Sequence, residues 1–419
     1  MTSTSCLPEP DPVVGDRSTT VLGTAPAPAT TVDPVAGASP DSAHDPGPAS
    51  DRIEALDLVR LLAIIGMMTA HLLAPLALMP DAGGIQGSLA RVAHVLTEGP
   101  SSTLFAVIGG CSLVLATRRR LERGDRRGAV ASVMVRGACV ALIGLLLELL
   151  PTAVMVVLVP FGLAMMITAP LLLVPTPLLV PLIAVLAVGG HPLAQSVPGP
   201  VEFGTVTLLS LGEPLTVLRG IALTGQYPLI TWVLYLLLGM VLMRCLLRAR
   251  QSGRTWRAAG LAAASGTVAA VIGYVLPLVA GALGATTPGT WYQAAPHTGT
   301  LGDMLATGGV AVALIAVAIG LLPPGQHLVG RPARILPSAG AAPLTLYVIH
   351  VALTSVALIT AVLVSSGDLT SMPWYVAGLG ILAVHLTLTV GLGAMLTARG
   401  GRGPLEALLA RVGRRVVRS

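Results

Sequence analysis

The sequence predicts an all-α integral membrane protein, a bundle of about ten transmembrane helices with both termini cytosolic. Three observations carry this. Of the 419 residues, 54% are hydrophobic and 11% are charged, and the mean hydropathy is +0.83. A soluble domain carries roughly 25% charged residues, and there is too little polar surface here to coat a water-soluble fold. The apolar residues also come in runs close to the roughly 20 residues that cross a bilayer. Finally, every basic residue is arginine, and the arginines cluster in alternate connections between those runs, as the positive-inside rule requires.

Residues 1–51 precede the first run. They are rich in Pro, Ala, Thr, Ser and Asp, with Glu9, Asp11, Asp16, Asp33, Asp41, Asp45 and Asp51 against Arg17 alone. Such a segment cannot bury enough apolar area to offset its ordering entropy, so a disordered acidic tail is expected. It lacks the basic stretch and apolar core of a signal peptide, so the first run is expected to stay in the membrane. Residues 52–399 form the membrane domain, and 400–419 a basic cytosolic tail.

Spans are expected near 56–79, 100–117, 129–150, 152–172, 175–190, 226–247, 258–284, 305–322, 341–364 and 374–397. The stretch from Ala129 to Gly189 is the hardest to divide, because Pro151, Pro160, Pro170, Pro175, Pro177 and Pro181 mark turns or kinks. The arginines test the count. Arg118, Arg119, Arg120, Arg123, Arg126 and Arg127 follow span two. Arg244, Arg248, Arg250, Arg254 and Arg257 follow span six. Arg331 and Arg334 follow span eight, and Arg399, Arg402, Arg411, Arg414, Arg415 and Arg418 follow span ten. The intervening loops hold only Arg91 and Arg219. Ten spans keep the alternation; nine or eleven break it. The net charge of +6 is thus an orientation signal, and no nucleic-acid partner is expected. Cys6, Cys111, Cys139 and Cys245 show no metal-ligand spacing, so no metal is expected and small hydrophobes are the plain reading.

Polar residues inside a membrane are costly and are functional candidates by default. In the first span Asp57 and Arg60 stand at i, i+3 on one helix face and can pair. Arg60 and His71 are eleven residues apart, nearly three turns, on the same face and about 16 Å apart along the axis. A guanidinium near the cytosolic surface can grip phosphate, and an imidazole deeper in can act as base or nucleophile. That arrangement suits group transfer from a phosphorylated cytosolic donor. The structural alternative is an interfacial anchor plus an interhelical hydrogen bond. His350 and Tyr347 in span nine, and His385 in span ten, lie near mid-depth on neighbouring antiparallel helices. They read as substrate-binding groups around a channel, or as interhelical glue. Arg136 in span three is placed to meet Asp57 or a phosphate.

The spacing Arg60-x10-His71, preceded by Asp57, resembles the first-span signature of the transmembrane acyltransferases. That superfamily includes the acyltransferase-3 and heparan-α-glucosaminide N-acetyltransferase-like proteins. "STLFAVIGGCSLVLATRRR" is similar to their second span, and "WVLYLLLGMVLMR", "PHTGTLGDMLATGGVAVALI" and "GAAPLTLYVIH" resemble the bacterial domain-of-unknown-function 418 branch. The resemblance implies acyl transfer at His71, with Arg60 handling acyl-CoA. The sequence departs from the pattern in having Leu61 after the motif arginine. The heparan-type enzymes carry Asn at the His71 position, with a catalytic His in the loop after span one and an acid before span two. His94 and Glu98 stand at those places.

The expected function is a membrane acyltransferase. It moves an acetyl or other acyl group from cytosolic acyl-CoA, as co-substrate, to a hydroxyl or amine of an envelope glycan or lipid. Arg118, Arg119 and Arg120 are expected to join Arg60 in donor binding, and the multi-pass location is the bacterial plasma membrane. The alternative from the same residues is a multi-span carrier or flippase for an envelope lipid or solute.

Overall fold

The computed structural model describes residues 52–79, 84–197, 214–284, 290–364 and 373–417, and every regular element among them is helical. The acidic segment 1–51 lies outside the described residues. Helix α1 spans Glu54–Leu72 and α2 Gly84–Thr97; α3 spans Pro100–Glu122, α4 Arg126–Leu147, α5 Leu158–Thr168 and α6 Thr176–Ser196. Then follow α7 Pro214–Arg219, α8 Leu229–Gln251, α9 Thr255–Ala282, α10 Leu301–Leu321, α11 Arg331–Gly340, α12 Pro343–Val364, α13 Leu379–Arg399 and α14 Pro404–Val416.

Among the described residues nine helices are long and apolar enough to cross a membrane, and a shorter apolar segment, Leu158–Leu173, lies where span four was expected. The differences from the sequence reading have local causes. The first span stops at Leu72, and Pro75 starts a 3₁₀ turn over Ala74–Leu78. The connection to span two is not a bare loop: α2 occupies most of it. Span four starts later than expected, because 148–157 is not helical. The prolines then act as punctuation. Pro160 sits in the first turn of α5, where its missing N–H costs nothing; Pro170 opens a 3₁₀ turn, and Pro175 is the N-cap of α6.

The facing ends of α3 and α4 and of α8 and α9, the α10–α12 connection and the end of α13 with the chain after it carry the arginine clusters, so one end of the bundle is arginine-rich. The charges there have local duties. Asp125 caps α4 by accepting from Gly128 N at 2.8 Å and from Arg120 at 2.8 Å. Those two donors, the backbone N–H first, hold its carboxyl below the usual carboxylate range. Arg244 donates to Val174 O at 2.8 Å and Leu172 O at 2.6 Å. It thereby satisfies carbonyls at the end of the 3₁₀ turn Pro170–Leu173, which the short segment leaves open.

Small residues let the central helices approach. A Cβ added to Gly110 would run into the Leu236 carbonyl, and one on Gly239 into the Val107 carbonyl. The thiol of Cys111, fully buried, donates to Gly239 O at 3.3 Å. This backbone-to-backbone contact of α3 and α8 replaces the hydrophobic drive that lipid removes between helices. Gly239→Leu should therefore force α3 and α8 apart and cost about 1–3 kcal/mol or more. Gly260→Leu, where nothing stands within 4 Å, should be tolerated; thermal unfolding of the two variants in detergent compares them.

Candidate functional site

At the arginine-rich end, α1 opens with a carboxylate between two guanidiniums. Asp57, 4% exposed, accepts from Arg52 Nε at 2.5 Å and pairs with Arg60 Nη1. Arg52 also donates to Pro337 O at 2.9 Å, which ties α1 to α11, and Arg60 Nη2 reaches Ser112 Oγ on α3 at 3.0 Å. Gly340 closes the assembly, because any Cβ there would overlap the Asp57 carbonyl. The i, i+3 spacing thus makes the expected pair, and the structure aims Arg60 between α1 and α3.

Asp57 is used by Arg52 and Arg60, so Arg136 does not pair with it. Arg136 stands ten residues into α4, about 15 Å from its start. It faces a cavity of about 620 Å³ lined also by Arg52, Asp57, Arg60, Arg120, Arg402, Glu406 and Arg414. A deeper neck of about 70 Å³ shares Arg60, Arg136 and Glu406 and is walled by Phe105, Ile108, Leu158, Phe161 and Met165. The mouth is basic and the neck apolar. Of the arginine run expected to bind donor, Arg120 lines this cavity, Arg118 turns to Glu122 at 2.6 Å, and Arg119 is not among the lining residues.

The C-terminal residues contribute a wall that the sequence reading missed. The Glu406 carboxylate of α14 accepts from Leu344 N at 2.8 Å, Thr345 N at 3.1 Å and Thr345 Oγ1 at 2.6 Å. Leu405 N donates back to Thr345 Oγ1 at 3.2 Å. An acid at a helix N-terminus satisfies free N–H groups and the helix dipole together, so α14 docks on α12 and brings Arg402, Leu409 and Arg414 to the cavity. A lone acid among the apolar residues of a basic amphipathic helix was the available signal. His327, which the sequence does not single out, places Nδ1 3.0 Å from Glu54 Oε1.

Deeper in the bundle three histidines meet. His71, in the last turn of α1, places Nδ1 3.1 Å from His350 Nε2 of α12, with the rings stacked at 5.4 Å. His350 meets His385 of α13 edge to face at 5.0 Å. His350 and His385 are each 1% exposed, whereas His71 is partly exposed. Tyr347 is not part of this contact: its hydroxyl accepts from Val157 N at 3.1 Å, before α5. His94 lies in the last turn of α2 and contacts the Glu98 carboxylate, both side chains partly exposed.

Near the α3 start a second polar group gathers. Thr300 caps α10 by accepting from Asp303 N at 3.1 Å, and the buried Asp303 accepts from Gly299 N at 3.2 Å. His297 stands in the loop before it at φ +61°, with its ring edge-on to Tyr227 at 5.3 Å.

A family model described as heparan-alpha-glucosaminide N-acetyltransferase, catalytic, matches residues 52–275. The match takes in Arg60, His71, His94, Glu98 and Arg136, and ends before His350 and His385. No curated protein matches the chain.

Desolvation lowers the His297 imidazole to about pH 4, against about 6.5 when unperturbed. The folded loop thus favours the neutral ring. Its contribution is complete above about 6.5 and is lost as the pH falls through about 4, because the unfolded loop binds the proton first. Acidification over that window should raise protease sensitivity around residues 290–300 more in the wild type than in His297→Asn, whose asparagine tolerates positive φ.

Proposed function

The chain belongs to the heparan-α-glucosaminide N-acetyltransferase catalytic family, and we propose that it transfers an acetyl or other acyl group from cytosolic acyl-CoA to a hydroxyl or amine of an envelope glycan or lipid. A membrane acetyltransferase-type function follows from the family; the donor, the acceptor and the residue roles are the proposal. The observation that carries it is the cavity at the arginine-rich end, a cationic mouth that narrows into an apolar neck. Phosphates of coenzyme A suit Arg60, Arg136, Arg402 and Arg414, since guanidiniums bind phosphate oxygens through paired N–H groups. The neck suits the less polar arm that carries the thioester.

Arg136 is central to this reading. Asp57 and Ser112 already engage Arg60, whereas Arg136 faces open cavity. A charge this far along a span is costly without a partner, and a bound phosphate supplies one. The neck reaches Phe105 on α3. Gly66 of α1 faces Ser101 of α3, so His71 stands about 13 Å beyond Phe105 along the bundle. The extended arm of coenzyme A covers that interval and brings the thioester toward the imidazole.

In the reaction His71 takes the proton of the acceptor hydroxyl or amine while its oxygen or nitrogen attacks the thioester carbonyl. The new C–O or C–N bond forms, the C–S bond breaks, and the proton passes to the departing thiolate. Holding the two reactants together supplies part of the barrier reduction, up to roughly 7–11 kcal/mol for well-oriented groups.

The test is transfer of label from labelled acetyl-CoA by purified protein, with release of free coenzyme A. Arg136→Gln should raise the donor KM about 10–100-fold, the worth of one charged hydrogen bond, with kcat little changed. His71→Ala should lower kcat about 10²–10⁴-fold, and His94→Ala should leave most activity. An inactive His94→Ala beside an active His71→Ala reverses the assignment to the α2 histidine and its Glu98 partner.

Donor access also demands an orientation. The arginine-rich end should face the cytosol. Reporter fusions after Arg127, after Arg257 and at Ser419 should then read cytosolic, and fusions near Thr205 and Gly289 external. A cytosolic reading at Gly289 overturns the orientation.

A further inference from the structure

One carbonyl sets the proton order of the histidine cluster. His385 Nδ1 lies 2.9 Å from Ile381 O. A carbonyl only accepts, so Nδ1 carries the proton and, in the neutral ring, Nε2 is a bare lone pair. That Nε2 is buried and has no hydrogen-bond partner among the described residues, and the same holds for His350 Nδ1. These two nitrogens belong to neighbouring rings 5.0 Å apart. Buried polar atoms rarely stay unmatched, and one of this pair can only accept. A proton on His350 Nδ1 and a rotation of either ring would match them. His350 Nε2 is then bare and must accept from His71 Nδ1 across the 3.1 Å contact. His71, the ring with partial exposure, is left with a bare Nε2.

We propose that His71, His350 and His385 form an imidazole relay in which His71 Nε2 is the base, His350 fixes its tautomer, and His385 receives the displaced proton. The role of His71 rests on the acyl-transfer reading above; the proton order rests on the cluster alone. When His71 Nε2 takes a proton from the acceptor, its Nδ1 proton passes to His350 Nε2. The Nδ1 proton of His350 passes to His385 Nε2. One proton enters and one positive charge results, now on His385, whose Nδ1–H keeps Ile381 O in a stronger, charge-assisted bond. The reverse sequence returns a proton from His71 Nε2 to the leaving thiolate. The charge is thus held two rings away from the reacting carbonyl while the bonds change. His350 and His385 are positioning residues, and neither touches substrate. Interhelical glue alone would require no particular proton order.

The experiment combines histidine ¹⁵N spectra of the wild-type protein in lipid nanodiscs with kinetics of His350→Gln and His385→Gln. Glutamine at position 350 offers His71 an acceptor, and at either position it cannot pass a proton along. The relay predicts Nδ1–H on all three rings. It also predicts that each variant lowers kcat about 100-fold, within the range for loss of proton-transfer catalysis, with donor KM unchanged. A proton on His71 Nε2 or His350 Nε2 overturns it, as does a variant that keeps kcat, including one that raises KM alone. If the wild type transfers no acyl group, the functional reading fails, and the spectra still decide the proton order without reference to activity or to how the variants fold.

Discussion

The buried carboxylate of Asp57 organises the arginine-rich end. It lies between Arg52 and Arg60, and its own carbonyl is overlaid by Gly340. Through Arg52 it fixes α11, and through Arg60 and Ser112 it fixes α3. The arrangement satisfies the rule that a buried charge must be paired and hydrogen-bonded. Removing one partner of such a group typically costs about 3–5 kcal/mol, because the remaining charge is stranded. Asp57 therefore holds Arg60 in place at the cavity edge more than it adds net stability.

The same end shows how one helix can be supported by another far along the chain. The first turn of α12 has free N–H groups, and Glu406 of α14 satisfies two of them. Because His350 sits two turns further along α12, the C-terminal helix steadies both the cavity wall and the helix that carries the central histidine. Arg244 plays the matching part for α5 and α6 by closing the carbonyls at Leu172 and Val174. Charges that look in the sequence like orientation signals alone thus also satisfy backbone groups that short or broken helices leave open.

The histidine cluster and the cavity occupy different levels of one bundle, and α1 links them. Its first two turns carry Asp57 and Arg60, and its last carries His71. Close packing on α3 at Gly66 keeps the helix from sliding, so the spacing between guanidinium and imidazole is set by helical rise. A reaction that draws its donor from one side of a membrane and uses a base deeper in has a use for such a ruler. In the proposed mechanism the coenzyme arm is the moving part.

The class of the fold, the approximate positions of nine long apolar helices among the described residues and the gathering of arginines at one end were legible in the sequence. They depend on quantities that add up locally: apolar length against bilayer thickness, and charge against neighbouring apolar runs. The pairing of Asp57 with Arg60 was legible for the same reason, being three residues apart on one helix. The meeting of His350 with His385 could be anticipated from adjacent antiparallel spans, but the arrival of His71 could not. It needs α1 to pack against α12, more than 270 residues away in the chain. The α2 helix in the first connection, the return of α14 onto α12, and the turning of Arg118 away from the cavity that Arg136 faces were likewise decided by tertiary structure. Helix periodicity says which residues share a face, whereas the neighbour on that face is chosen by side-chain volume and close backbone approach across the whole bundle.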